Sequence, residues 1–473
     1  MVQRRSNGGG SKRQKGQVMP MTAILIVAVL LSLWAMYDSG QLMTERMKLQ
    51  NTADNVAYSG SALVARDLNY TAYTNRAMVA NQVAIGQMVG LSSWAAMMEQ
   101  LGTNIGIVGK VATVVPYVGP LINALAQTFE KATEALASTV DAAVKIAIPL
   151  NDGVIRALSA SQNIFHVGMS ASLMNFSEDI AQANDPDVEQ ILTSAAGSVQ
   201  AFVEWQEQIG RFSKPNIKTP NSTTNQRFDD FAEVVGDSRD PFTARRSYEM
   251  GPPMSGFFWD TQKRGGSDLK RSTGIGGVYQ WDWTAMDTVG FEAKFKVFGK
   301  CIVCVNVPLG WGAAHALQGS GSYYNYSSGS GWGGAWDNST AALYASGSHA
   351  GHNLRNTSGL QPFYAFRDDG APNSGGPGLL YLFRKDNSSM PLTADLGAQG
   401  GNPLNTEAGE GFITAAAKGQ PHYSRPTDIE QFARHDGNFE YGNLYNPFWQ
   451  PRIVKLNNTE RALLLAGAVA LDN

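Results

Sequence analysis

The chain has 473 residues, so two or three folded units are expected rather than one. Hydrophobic residues make up 43% and charged residues 16%, which excludes a chain disordered throughout. The formal net charge is -3, and the lack of an overall basic field speaks against nucleic acid as a partner.

Residues 1–17 form a basic tail containing Arg4, Arg5, Lys12, Arg13 and Lys15 and no acid. Residues 18–37 then run without a charge. As a helix they are roughly 30 Å long, the thickness of a bilayer core. The basic flank keeps the tail in the cytoplasm and sends the bulk of the chain across a single span. Trp34 and Tyr37 sit where an aromatic belt meets the outer interface. The run is too long for a cleaved secretory signal, and Trp34-Ala35-Met36-Tyr37 is a poor cleavage site. Beyond the span, Leu42, Met43, Met47, Leu49, Ala53, Val56, Ala57 and Leu63 recur mostly at steps of three and four, so the helix should continue to about residue 68. A rod from Pro20 to there is roughly 70 Å long. Its outer half must pack on the chain's own C-terminal domain or on neighbouring subunits, which leaves a homo-oligomer open.

Several stretches here share a pattern. They are Lys15-Gly16-Gln17, Asp38-Ser39-Gly40-Gln41, Met47-Lys48-Leu49-Gln50-Asn51-Thr52-Ala53-Asp54, Ala65-Arg66-Asp67-Leu68-Asn69, and residues 73–82 with Asn75, Arg76, Asn81 and Gln82. Together they resemble the N-terminal region of the TadE/TadG-like proteins of Tad (Flp) pilus systems, over about the first hundred residues. Asn446-Pro447-Phe448-Trp449-Gln450-Pro451-Arg452 near the C-terminus is a fainter likeness. The resemblance implies a structural or assembly component of a pilus, either a membrane-anchored TadG-like protein or a minor pilin. The implied location is a bacterial inner membrane, with the bulk periplasmic or carried to the cell surface in a pilus. The implied partners are inner-membrane lipid and other pilus-assembly proteins or pilins. It implies no reaction, cofactor or small-molecule substrate. It also marks Gly16 and Gln17 as a candidate processing site. There Met21 stands at the fifth mature position in place of the usual Glu, and Pro20 at the fourth, which favours an anchor that stays. The alternative is a membrane-tethered periplasmic binding protein or adhesin outside any pilus.

Asn69, Asn75, Arg76, Asn81 and Gln82 are polar groups among Ala, Val and Met. Buried amides need partners and fix register. They make either a subunit-docking helix or a polar stripe inside an intrachain bundle. From residue 83 to about 208 the pattern stays helical and Ala-rich, with separate helices expected over 87–101, 121–148 (ended by Pro149), 159–181 and 188–209. With the first helix they suggest an elongated bundle over residues 38–210. The apolar segment 105–121 contains Lys110, Pro116 and Pro120. Those residues argue against a second span, and a buried bundle corner is expected over a membrane-dipping hairpin.

Residues 211–227, with Pro215 and Pro220, read as a linker. From 228 to 473 the period changes. Strands are expected over 279–284, 291–298, 301–307, 362–366 and 379–383, with a closing helix over 461–471. Between strands lie Gly/Ser-rich loops dense in Tyr and Trp, notably 319–336, suited to adhesion or subunit contact or simply structural. The expected fold is therefore α+β. A long N-terminal transmembrane helix continues into an elongated helical bundle, and a loop-rich, mostly antiparallel β domain follows.

No catalytic, cofactor or metal site stands out, and the chain is not expected to be an enzyme. Cys301 and Cys304 form a C-x-x-C, but in a strand i and i+3 point to opposite faces, and no second pair completes a zinc set. They could form a disulfide if the strand bulges, in an oxidising compartment. His349 and His352 form an H-x-x-H in a Gly/Ser loop without a Glu beside it, and His422 and His435 are isolated. Asp337 and Asp386 begin an Asp-x-Ser-like run, but the final Ser of a metal-binding Asp-x-Ser-x-Ser is missing from both. No phosphate-binding G-x-x-x-x-G-K-[ST] loop is present. A tethered hydrolase is the remaining reading.

Overall fold

Pro20 lies in the first turn of α1, where its missing N–H costs nothing, and no other proline follows before residue 116. The result is one helix, α1 (Val18–Ala112), of 95 residues, about 140 Å long. It joins the expected anchor, its continuation and the expected helix over 87–101 into one element. The computed structural model describes residues 18–191, 225–250, 253–254, 257–273, 279–297, 300–317, 324–327, 331–347, 351–354, 357, 359–360, 375–376, 378–390, 412–438, 440, 442–458 and 460–461. The basic tail with Gly16 and Gln17, the expected strand over 362–366, most of the linker and the expected helix over 461–471 lie outside these residues.

A turn over residues 113–118 leads into α2 (Gly119–Asn184), which returns antiparallel along α1. Tyr70 stacks on Phe165 at 4.2 Å, and Tyr70 Oη donates to Ser161 Oγ at 2.9 Å. Asp67 meets His166 at 2.8 Å. Pro149 does not end the helix, contrary to expectation, but lies inside α2. An interior proline costs about 3 kcal/mol, and burial of Ile148 and Ile155 on either side holds the helix together across it. The expected helix over 188–209 also begins differently. Pro186 ends α2, and β1 (Val188–Gln190) pairs with a strand near the C-terminus.

Two sheets follow. After α3 (Asn225–Asp237) and a one-turn helix, α4 (Pro241–Ala244), the chain forms β2 (Tyr248–Met250), β3 (Pro253–Met254), β4 (Phe257–Thr273), β5 (Tyr279–Val297) and β6 (Lys300–Ala316). Then come a 3-10 turn (Trp332–Asp337), α5 (Ser339–Ser346) and β7 (Gly351–Asn353). The last strands are β8 (Leu379–Asp386), β9 (Phe412–Tyr423) and β10 (Trp449–Val454). One sheet runs β1-β8-β9-β10, all antiparallel, and the other runs β2-β4-β5-β6-β7, antiparallel except for β6–β7. The strands expected over 279–284 and 291–298 are one strand. β4 has no clear signature in the sequence, because Gly265-Gly266 and the basic pairs Lys263-Arg264 and Lys270-Arg271 break its alternation. The architecture is α+β, with a long N-terminal apolar helix and a mostly antiparallel C-terminal sheet region.

The sheets are not strung out beyond the stalk. Both pack on α1. The β1-β8-β9-β10 sheet and α2 enclose a core of Leu42, Leu49, Val56, Ala57, Val64 and Leu68 with Leu173, Tyr381, Phe383 and Trp449. Farther along, Met78, Ile85 and Val89 meet Ile148, Ile155, Phe231, Trp283 and Ala314. Small residues set the spacing: a Cβ on Gly86 would fall on the Trp283 indole, and one on Gly60 on Tyr381. The aromatics of the Gly/Ser loop take the structural role. Tyr326 Oη donates to Ala314 O at 2.7 Å and Trp332 Nε1 to Thr284 Oγ1 at 2.9 Å, and both rings are buried.

Candidate functional site

The feature that joins anchor and body is the buried face of α1. From Val18 the helix has no buried residue over its apolar window. From Leu42 onward it is progressively covered by its own sheets and by α2.

Two buried ionic clusters fix the sheets on this face. Glu45 lies in phase with Leu42 and Leu49, so it faces inward. It accepts from Lys385 of β8 at 2.9 Å and from Lys48 at 2.7 Å, and Lys385 reaches Asp185 at 2.7 Å. Burial works against the charge on Glu45, but Lys48 and Lys385 outweigh it and hold the carboxyl below its ordinary 4.5. Burial likewise works against Lys385, but Asp185 and Glu45 raise it above 10.5. The stabilisation from Glu45 is therefore complete above about pH 4.5 and lost as pH falls below that, while that from Lys385 is complete below about 10.5 and lost above. The melting temperature of wild type should drop at both ends. Glu45→Gln should flatten the acid drop, as read by paired pH–melting profiles. An unchanged acid limb would rule out Glu45 as its source.

The second cluster lies under the other sheet. Arg246 grips Asp287 of β5 through Nε at 3.1 Å and Nη2 at 2.8 Å, and Lys263 of β4 donates to the same carboxylate. All three side chains are buried. Gly90 of α1 closes over Arg246 and Ser267, where a Cβ would collide with both. Burial opposes ionisation of Asp287, but the two cations hold its carboxyl below the usual range. Burial lowers Lys263, with Asp287 opposing that only in part and Arg246 adding to it.

Of the amides read as either a docking helix or an intrachain stripe, two reach the C-terminal segment of the same chain. Asn69 donates to Trp449 O at 2.9 Å and accepts from Trp449 N at 3.0 Å. Asn75 donates to Leu444 O at 2.9 Å and accepts from Gln162 at 2.7 Å. Gln82 is buried, and Asn81 donates to Ala77 O in its own helix at 2.7 Å. Arg76 is exposed. It lines a pocket of about 540 Å³ with Val83, Gln87, Val234, Asp240 and Tyr445. Of the alternatives left open by sequence, intrachain use accounts for Asn69 and Asn75, which hold the C-terminal segment against α1.

The other sequence-marked groups do not converge. Cys301 and Cys304 lie in β6 opposite Lys296 and Lys294, with a shift of register between them; their side chains, with His349 and the His352 side chain, lie outside the described residues. His435 is exposed. Among the described residues no group of three or more His, Cys, Asp or Glu could hold a metal ion. A cleft of about 950 Å³ between α3 and β4–β5 carries both signs of charge, Asp229, Glu233 and Asp268 with Arg239, Lys270 and Arg271. Arg239 pairs with Asp268 there. The ionic clusters are not apparent from the sequence pattern. One signal was present: a Glu at a core phase of the α1 stripe.

Residues 16–67 match the family model described as Tad, Putative Flp pilus-assembly TadE/G-like. The match spans the end of the tail, the exposed apolar window and the first buried turns of α1. No curated protein and no solved structure matches the chain.

Proposed function

We propose that this chain is a membrane-anchored, non-enzymatic component of a Tad (Flp) pilus machine. In this reading α1 holds it in a bacterial inner membrane, its N-terminus is cytoplasmic and its bulk periplasmic, and it works through helix packing and extracytoplasmic contacts with other pilus proteins. The observation that carries the reading is the continuity of α1. One helix is bare over the apolar run and then becomes the core of the folded body. The buried face begins at Leu42, a few residues beyond the apolar run, so a force on the span would be transmitted to both sheets without a hinge. The TadE/G-like match covers this same transition, which supports the pilus role.

The test is the mature N-terminus and location of the protein in membrane and sheared-surface fractions, in a strain whose pili depend on it. The expected result is an intact Arg4-Arg5 tail confined to membranes. Deletion should abolish surface fibres, and the full chain, but not residues 38–473 alone, should restore them. Gln17 as first residue in the sheared fraction would instead make it a minor pilin. Normal fibres in the deletion strain would remove the pilus role.

A further inference from the structure

We infer that the hairpin tip joining α1 and α2 is a lipid-docking element, which inserts into one leaflet of a bilayer other than the one holding the span. The corner expected from sequence is present, but it is not buried. Val114 is 83% exposed and Tyr117, at the apex, 98%. Val111, Val118, Leu121 and Leu125 are exposed beside them. From Val111 to Phe129 there are 19 residues without a charge. The amide and carbonyl ends of Gln127 and Asn123 are buried within the hairpin.

Two further observations favour lipid over a protein partner. A protein surface would normally be met by a rim that includes charged groups, and the tip carries no charge until Lys110 and Glu130, its exposed polar side chains being Thr113 and Thr128. The turn also satisfies much of its own backbone, which lowers the cost of lipid exposure, although the N–H groups of Tyr117 and Leu121 have no backbone partner among the described residues. Val114, Val115, Val118, Gly119 and Ile122 donate their N–H groups to carbonyls of the turn at 2.9–3.3 Å. Pro116 and Pro120 have no N–H to satisfy. The hairpin is closed tightly behind the tip, where Cβ atoms on Gly102, Gly106 and Gly109 would strike Thr133, Glu130 and Ala126. Its uncharged α2 arm, 119–129, is about 16 Å long, close to one leaflet, and Lys110 on the other arm can snorkel to headgroups.

The second bilayer follows from length. Asp38 and Ala112 belong to the same helix, which sets the tip about 110 Å from the outer end of the span. The molecule would thus bridge two lipid surfaces. This requires the span to sit in a membrane but does not depend on the pilus role.

The test uses the full chain, held by its span in phosphatidylethanolamine/phosphatidylglycerol nanodiscs and mixed with liposomes of the same lipids. Loaded discs should co-float with liposomes, and empty discs should not. Val114→Asp with Tyr117→Asp should reduce co-flotation at least about tenfold, with the melting profile unchanged because both positions are exposed. Loaded discs that stay unbound, or a double variant that floats as well as wild type, would overturn the inference. So would discs that pair with one another, without liposomes, through the same two residues, since a second copy would then be the occupant.

Discussion

Asp287→Asn should destabilise the folded body by about 3–5 kcal/mol, the usual cost of stranding buried charge. The variant keeps the volume of the side chain but leaves Arg246 and Lys263 facing each other under α1 without a counterion. Lys263→Met should cost less than about 1 kcal/mol. The parent cluster holds two cations against one carboxylate, and removing Lys263 leaves the two-point Arg246–Asp287 pair complete. Two single substitutions on one salt bridge should therefore differ severalfold. Urea unfolding of the detergent-solubilised full chain, followed by tryptophan fluorescence, measures both. The pH dependence supplies a second reading. Lys263 is depressed from its ordinary 10.5, so the folded state binds fewer protons there than the unfolded chain. Stability then rises with pH up to about 10.5, and the deficit of the Asp287→Asn variant should shrink along that limb as Lys263 loses its charge. Equal losses for the two variants would mean that the cluster acts through packing rather than charge.

That asymmetry also explains what could be read from the sequence. The anchor was legible because lipid imposes a coarse rule, an apolar run long enough to span behind a basic flank. The continuation of α1 was legible in part, because Leu42, Leu49, Ala53 and Val56 keep helical phase. Glu45 shares that phase, and the pattern alone does not say that Lys385, 340 residues away, neutralises it. Asp287 was hidden for the same reason: its counterions come from β4 and from the segment after α4. Local rules misled where tertiary contacts outweigh them, as at Pro149, where buried isoleucines on both sides carry the helix onward. They also misled at the tip. An apolar corner must be buried only where water surrounds it, and a lipid surface removes that requirement.

The fold's tightest constraints are steric, and they predict a result of opposite sign for one kind of substitution. Gly419 of β9 lies against the backbone of Ala57, and Gly312 of β6 against the backbone of Ser93 and Met97. A Cβ at either position would press on the peptide groups of α1, which cannot swing aside as a side chain can. Gly419→Ala and Gly312→Ala should each cost at least the upper end of the ~1–3 kcal/mol typical of overpacking. Ala57 and Ser93 are about 54 Å apart along the helix, so the double variant should show the sum. A Cβ added at Gly153 of α2 would meet nothing within 4 Å, and Gly153→Ala should stabilise by about 0.4–1 kcal/mol by restricting the unfolded chain. The same urea titration decides all four. If the strand glycines tolerate Ala, the sheets do not ride directly on the anchor helix. A span coupled rigidly to both sheets through backbone contact would then lose its basis.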